Sequence, residues 1–322
     1  MRSVTWRTSR PPFLFVKIPF SVILTRKSMN NSFKFVYFGG EPLAVPVLEK
    51  LKDVGLVPSL VICNPDRPSG RGQTLTPPPL KVWAEQEGIE TFQPTTYRND
   101  DVAREKLKEA DWDVFVVVAY NSILPSWLLE IPKHGVVNIH PSLLPKLRGA
   151  SPIRTAILDN LPEDVGVTIM LMDEEMDHGP ILEQEQLHLT DANWPMSGPK
   201  LDQKLASLGG KLLAEVLPAW LNDELSPQEQ DQEAATYCKK LDPSARQLEL
   251  NPGSLPSGRQ AKQIWHTINA FAGTGDTFFI HNEKRVKIKQ AELTNGGSLL
   301  LLRVIPEGKK EVDFLDYLNS LS

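Results

Sequence analysis

Residues 114–118 read Val-Phe-Val-Val-Val, with no polar position on either face. A strand apolar on both faces must be covered on both, which is the condition of a central strand in a parallel sheet sandwiched by helices. The neighbouring sequence supplies such a fold. Short apolar runs at Lys34–Phe38, Leu60–Cys63, Glu90–Phe92 and Gly135–Ile139 alternate with helical stretches at Leu43–Lys52, Leu80–Glu87, Val102–Glu109 and Ser126–Glu130. In the first of these stretches Leu43, Val47, Leu48 and Leu51 recur at helical spacing behind Pro42, and Gly88 ends the second. Proline at entry and glycine at exit are helix-boundary signals. The alternation predicts an α/β fold with a doubly wound, mostly parallel sheet. Val167–Leu171 and Ile181–Leu189 are read as further strands, and Pro199–Leu221 as one long helix.

After Trp220 the character changes. Residues 222–235 are polar and acidic around Pro227, the composition of a linker. Beyond them a helix at Ser257–Ala270 precedes short β-type runs at Phe278–His281, Val286–Gln290 and Leu299–Val304, with Gly-containing turns. That pattern suggests a small, OB-like β-barrel. The expected organisation is an extension over residues 1–30 outside the fold, an α/β domain over 31–221, a linker over 222–235 and a barrel domain over 236–322.

The formal net charge of −5 is unevenly spread. Residues 1–28 carry six basic side chains and no acid, and residues 236–322 carry twelve basic against nine acidic, so the acidic excess lies between them. This excludes a protein that binds nucleic acid over its whole surface, and leaves room for local basic loops. The acid-free segment 1–28 ends at Met29, so it is read as sequence ahead of a true start, the alternative being a mitochondrial presequence. The corresponding compartments are the cytoplasm and the mitochondrial matrix. Cys63 and Cys238 lack a nearby Cys or His at metal-ligand spacing, and Cys63 is expected to be a buried free thiol. No apolar run approaches the roughly 18 residues of a membrane span, so no membrane partner is expected.

The candidate chemistry lies in Val136–Pro145, Val-Val-Asn-Ile-His-Pro-Ser-Leu-Leu-Pro, and in Met172–Ile181, Met-Asp-Glu-Glu-Met-Asp-His-Gly-Pro-Ile. Asn138 and His140 stand two apart in a strand, so their side chains leave one face. Asp177 sits in a turn-like segment from which a carboxylate can reach the imidazole. An amide donor, a titratable ring and a carboxylate suit transfer of a one-carbon acyl group to an amine. A lone His beside a strand is ordinarily a satisfied core residue, but two prolines around Ser142 shape a loop at a sheet edge, where α/β folds bind ligands. No metal motif is present, so no metal is expected.

These strings resemble the formyltransferases that use 10-formyltetrahydrofolate. The resemblance is carried by Asn138-Ile139-His140, Ser142–Pro145, Arg148-Gly149, Pro152, Gly166–Ile169 and Met176-Asp177 with Gly179-Pro180-Ile181. It extends through Gly39–Pro42, Pro65–Gly72, Pro79–Lys81 and Thr236-Tyr237 with Lys240-Leu241, covering residues 33–322. It implies a Rossmann-like formyltransferase domain in which Asn138, His140 and Asp177 are catalytic. Ser142, Leu143, Leu144 and Pro145 would line the folate site, with Ser122, Ile123 and Leu124 near the pterin. The implied acceptor is the methionine amino group on initiator Met-tRNA, with an aminosugar nucleotide as the alternative. Arg67 and Arg71, in the Asp66–Pro79 loop, would approach the tRNA acceptor end, and the protein would act as a monomer.

Two departures bear on the acceptor. Gln73-Thr74 stands where the family often has further lysines after Arg-Gly, and Ala272–Asp276 replaces the family's Asn-Pro-Trp-Pro turn. In the last domain Arg285, Lys287 and Lys289 share one strand face opposite Val286 and Ile288. That face suits RNA phosphates, or equally an ordinary solvated surface.

Overall fold

The computed structural model describes residues 33–322 apart from Gly70, Arg71, Asn99, Asp191 and Ser322. The expectations for residues 1–32 and for Arg71 therefore lie outside the described residues. From the amino-terminal side the elements are β1 (Phe35–Gly39), α1 (Ala44–Asp53), β2 (Leu60–Cys63), β3 (Arg67–Ser69), β4 (Thr74–Thr76), α2 (Pro79–Gln86), β5 (Thr91–Phe92) and α3 (Asp101–Lys108). Next come β6 (Val114–Val118), α4 (Ser126–Leu129), β7 (Val136–His140), β8 (Arg148–Gly149), α5 (Pro152–Leu158), β9 (Gly166–Leu171), β10 (Ile181–Gln186) and α6 (Gly198–Leu221). The carboxy-terminal part holds β11 (Tyr237–Cys238), α7 (Gly258–Phe271), β12 (Phe278–His281), β13 (Lys284–Leu293), β14 (Leu299–Pro306), β15 (Val312–Asp313) and α8 (Phe314–Asn319).

The main sheet has seven strands in the order β10-β9-β7-β6-β1-β2-β5. Strands β5 to β7 of that order are parallel, and the Val114–Val118 run lies at its centre with every residue buried. Its two faces carry separate apolar clusters. One holds Val137, Ile139, Val167 and Ile169 under α1 and α6, and the other holds Val136, Phe115 and Val117 under α3 and α4. Helix α6 comes unusually close to the first face. A Cβ on Gly209 would sit 3.0 Å from Ile139 Cγ2, and one on Gly210 only 2.8 Å from Lys50 Cβ. Without side chains at these positions the helix lies on β7 and β9 and against α1 together.

The sheet is mostly parallel, as expected, and antiparallel at one edge. Strand β9 pairs antiparallel with β7, setting Val137 against Leu171 and His140 against Thr168, and β10 pairs antiparallel with β9. No helical crossover separates β9 from β10, and a direct return can only be antiparallel. The Asp66–Pro79 segment, read as an irregular loop, contains the β3–β4 hairpin with Arg67 opposite Thr76. At its base the Asp66 carboxylate accepts from Lys81 Nζ at 2.9 Å and from Gln93 Nε2 at 2.8 Å.

The carboxy-terminal strands form a four-stranded antiparallel sheet, β12-β13-β14-β15, with its own apolar cluster that includes Ala261, Phe279, Val286, Ile288, Leu301 and Phe314. Val286 and Ile288 point into that cluster, and Arg285 and Lys289 are exposed, as the alternation predicts. Helix α7 docks on α5, where buried His266 donates its Nδ1–H to the Ile157 carbonyl at 2.6 Å. The segment 222–235 is not a free tether. Gln228 exchanges backbone hydrogen bonds of 2.8 Å with Ile181, and Gln230 is buried.

The close approach of α6 yields a test. Gly209→Val would place branched carbons against Ile139 and Val167, and overpacking of this kind costs ~1–3 kcal/mol. Urea denaturation should show that loss with an unchanged m-value, and a variant as stable as the parent would refute the packing described.

Candidate functional site

Asn138 and His140 project from the face of β7 whose other member, Val136, belongs to the α3/α4 cluster. At positions 138 and 140 the apolar covering gives way to polar side chains. The loop between β9 and β10 then meets them. It begins beside the start of β7, where Met172 N–H donates to the Val136 carbonyl at 2.8 Å. Five residues later Asp177 has reached His140, roughly 13 Å along the strand at the usual 3.3 Å rise. Asp177 Oδ1 lies 3.5 Å from His140 Nδ1, and its Oδ2 accepts the Gly149 N–H at 2.7 Å. The backbone at Asp177 is left-handed, with φ of 53°, a conformation Asp tolerates better than most residues.

His140 is buried, and its Nε2 lies 3.0 Å from the Leu147 carbonyl. A carbonyl only accepts, so Nε2 carries a proton and Nδ1 is the nitrogen that faces the carboxylate. Burial pushes the Asp177 carboxyl upward. The nearby His140 ring and its charge, the Gly149 N–H and the charge of Arg148 outweigh it and hold the group below the usual carboxylate range.

The loop after β7 is fastened to the β9–β10 hairpin. Buried Thr168 donates its hydroxyl to the Ser142 carbonyl at 2.7 Å and accepts the Leu144 N–H at 3.1 Å. Gln184 Nε2 adds a bond to the Leu144 carbonyl at 2.8 Å. Within this loop Ser142 and Leu144 face inward, the Ser142 hydroxyl being committed to the Lys146 carbonyl at 2.6 Å. Leu143 and Pro145 are half-buried, so they and the backbone are what a ligand would meet. From the neighbouring strand β6, Leu124 is buried and Ser122 exposed, and Ile123 is 90% exposed. An isoleucine so bare, in the loop that follows β6 beside its partner strand β7, is unpartnered apolar surface.

Two residues that frame the site were given no role by sequence reasoning. Among the described residues Arg148 has the largest fully buried side chain, at 1% exposure. Its guanidinium donates to Gln230 Oε1 at 3.1 Å from Nε and 2.5 Å from Nη2, and to the Tyr237 hydroxyl at 3.3 Å. Strand β11 lies directly on β8, and a Cβ on Gly149 would stand 2.3 Å from the Cys238 carbonyl oxygen. Arg148-Gly149 was legible as a motif. Gln230 carried no signal, being one glutamine among several in a polar stretch.

The basic residues proposed from sequence are scattered. Arg67 is exposed on the β3–β4 hairpin. On β13, Arg285 lies over the Phe278 ring at 4.2 Å from its centre, Lys287 is half-buried, and Lys289 is paired with Asp276 at 2.7 Å. Asp276 belongs to the turn that departs from the family pattern, so that departure also removes one free cation. Among the described residues no three of His, Cys, Asp or Glu come together in a metal-binding group, and no helix is long and apolar enough to cross a membrane.

Residues 33–217 match the family model described as formyl transferase. Over 89% of this chain and 94% of its own length, the methionyl-tRNA formyltransferase of Myxococcus xanthus is 36% identical. Among solved structures, an N-formyltransferase of Helicobacter canadensis, in complex with folinic acid and dTDP-3-aminofucose, is 22% identical with a TM-score of 0.57, covering 82% of this chain and 88% of that one. A methionyl-tRNA formyltransferase of Clostridium thermocellum has a TM-score of 0.53 at 15% identity, covering 87% of this chain and 99% of that one. At these identities the structures support the fold alone. The chain belongs to the formyl transferase family and, within it, to the methionyl-tRNA formyltransferases.

The depressed Asp177 carboxyl makes stability depend on acidity. An acid whose folded pKa lies below its unfolded value contributes stability above the unfolded value, about 3.9, and loses it as pH falls through the folded value. The stability difference between the parent and Asp177→Asn, read by urea denaturation, should therefore move in the variant's favour below about pH 4. A difference constant from neutrality into that range would contradict the electrostatic account.

Proposed function

We propose that the protein transfers the formyl group of 10-formyltetrahydrofolate to the α-amino group of methionine on initiator Met-tRNA, with Asn138, His140 and Asp177 as its catalytic residues. The observation that carries this is the pairing of His140 with Asp177 on the face that also presents Asn138, in a chain whose relative is named for this reaction over nearly its whole length.

The chemistry follows from the residue types. The neutral amine attacks the formyl carbon, a carbon–nitrogen bond forms, and negative charge gathers on the formyl oxygen. The Asn138 amide, on the same strand face as His140, is the donor for that oxygen. The attacking nitrogen must lose a proton and the departing folate nitrogen must gain one before its bond to carbon breaks. Asp177, ionised across the neutral range, accepts the first and passes it to His140 Nδ1, and the imidazolium so formed donates the second, which returns both groups to their starting state. The 3.5 Å separation of the pair exceeds a hydrogen bond, and such contacts commonly tighten only with reactants present. No nucleophilic side chain is needed, because the acyl group passes directly between two nitrogens.

The residues present suit the folate donor. Ile123, Leu143 and Pro145 offer apolar surface to a flat pterin, while Ser122 and the backbone of Ser142–Pro145 offer polar groups; Leu124 and Leu144, buried beneath, support the two loops. Arg67 on the β3–β4 hairpin and Arg71, with Arg285 and Lys287 on β13, would meet phosphates or unpaired bases of the acceptor, while Lys289 is held by Asp276. The same reading divides the chain into a catalytic domain to residue 221, a connecting segment over 222–235 and an OB-like RNA-binding domain from residue 236. The separate apolar cluster around Phe279 and Leu301 supports that division. The protein would act as a monomer in the cytoplasm, the setting suggested by its bacterial relatives.

His140→Ala and Asp177→Ala should each lower kcat by at least ~10², the lower end for acid–base groups. Labelled formyl donor offered with Met-tRNA or with aminosugar nucleotides should label only the tRNA. Preferred labelling of the sugar would overturn the acceptor, and normal turnover by either folded variant would overturn the mechanism. On β13, Arg285→Ala and Lys287→Ala should each raise KM for Met-tRNA and lower the salt slope by about 1. Lys289→Ala should do little, because its charge is already held by Asp276; equal effects at all three positions would count against that pairing.

A further inference from the structure

Gln230 lies in the segment between the two sheets, outside every helix and strand, yet its side chain is buried and fully bonded. Its Oε1 accepts twice from the Arg148 guanidinium, at 2.5 and 3.1 Å. Its Nε2 donates to the backbone carbonyls of Asp177 at 2.9 Å and of Gly179 at 2.7 Å. One amide thus joins three parts of the chain: the connecting segment, strand β8, and the loop that carries Asp177. We propose that Gln230 is a positioning residue for formyl transfer, holding the Asp177 loop against His140 and Gly149 through those two donated bonds.

The geometry gives two reasons. A left-handed backbone at Asp177, with φ of 53°, persists only where neighbours hold it, and Gln230 grips the carbonyls on both sides of the following peptide. The Arg148 charge is also kept beside the Asp177 carboxylate by neutral partners, Gln230 and Tyr237, so it is not cancelled by an acid of its own. The connecting segment reinforces this arrangement. Thr236 N–H donates to the Pro145 carbonyl at 3.1 Å, Thr236 Oγ1 accepts the Leu147 N–H at 2.9 Å, and Lys146 Nζ donates to the Ala234 carbonyl at 2.9 Å. The Leu147 carbonyl, in turn, is the partner of His140 Nε2. The chain that leads into the carboxy-terminal sheet is therefore part of the frame that aligns both members of the His140–Asp177 pair.

This inference rests on the assignment of Asp177 as a catalytic group, and the test separates the two. Full-length Gln230→Met, Gln230→Glu and Asp177→Ala are assayed for formyl transfer to Met-tRNA, with Gln228→Ala, an exposed side chain on the same segment, as the control. Gln230→Met should lower kcat about tenfold or more with KM for donor and tRNA within about twofold, because the reacting group is displaced while both substrates still bind. Gln230→Glu keeps an acceptor for Arg148 but loses the donated bonds and adds a negative charge. The titratable and charged groups facing Asp177 are His140 from β7, Arg148 from β8 and the Cys238 thiol from β11. The added carboxylate offsets Arg148, so the acid limb of the kcat/KM profile should move to higher pH. Should Gln230→Met not fold, kcat and the pH profile of Gln230→Glu decide. Folded Gln230 variants with kcat within about twofold of the parent and an unmoved profile, beside an inactive Asp177→Ala, would overturn the positioning role. Normal turnover by Asp177→Ala would instead remove the catalytic assignment beneath it.

Discussion

Everything at the site depends on the return of the β9–β10 loop along β7. Asn138 and His140 are two positions of one strand and need only the pleat to share a face. Asp177 comes from a different strand connection, and it reaches the imidazole because β9 runs antiparallel to β7 and its connection folds back over the strand. A parallel β9 would have required a crossover and would have carried the carboxylate elsewhere. The antiparallel edge of an otherwise parallel sheet is thus what assembles the candidate triad.

Holding that loop in place requires buried polar groups, which are costly unless each finds a partner. The site meets this requirement by shared bonding. Thr168 ties Ser142 and Leu144 to the sheet, Arg148 is satisfied by an amide and a phenol, and Asp177 receives a backbone N–H beside its histidine. A guanidinium near the carboxylate but bonded to neutral groups leaves its field available to keep that carboxylate ionised. An aspartate bound directly to Arg148 would have satisfied the same donors and cancelled most of that field.

Much of the frame was legible. Leu60–Cys63, Val114–Val118 and Phe278–His281 coincide with their expected runs, and the long helix differs from its expected span by one residue. These elements announce themselves because burial on one face or both imposes a period on the apolar positions. The β3–β4 hairpin was not legible, since its three-residue strands are exposed and carry no apolar alternation. Helix α5 and the short α8 were missed as well, each being two turns or less and bounded by loop-like sequence. At the site, Asn138, His140 and Asp177 were singled out from residue type and resemblance, while Gln230 was invisible because its bonds to Arg148 and the Asp177 loop arise only on burial.

The sequence by itself determined the α/β frame, the shared face of Asn138 and His140, and a resemblance that named the reaction. Those depend on local periodicity and on short strings, which need no knowledge of distant contacts. Only the tertiary structure decided that Asp177 meets His140, that Asp276 occupies Lys289, and that Gln230 of a polar connecting segment is buried against Arg148 and the Asp177 loop. Each of those facts joins residues between 13 and 82 positions apart. Such pairings are set by how the sheets and loops fold back on one another, and no periodicity along the chain records them.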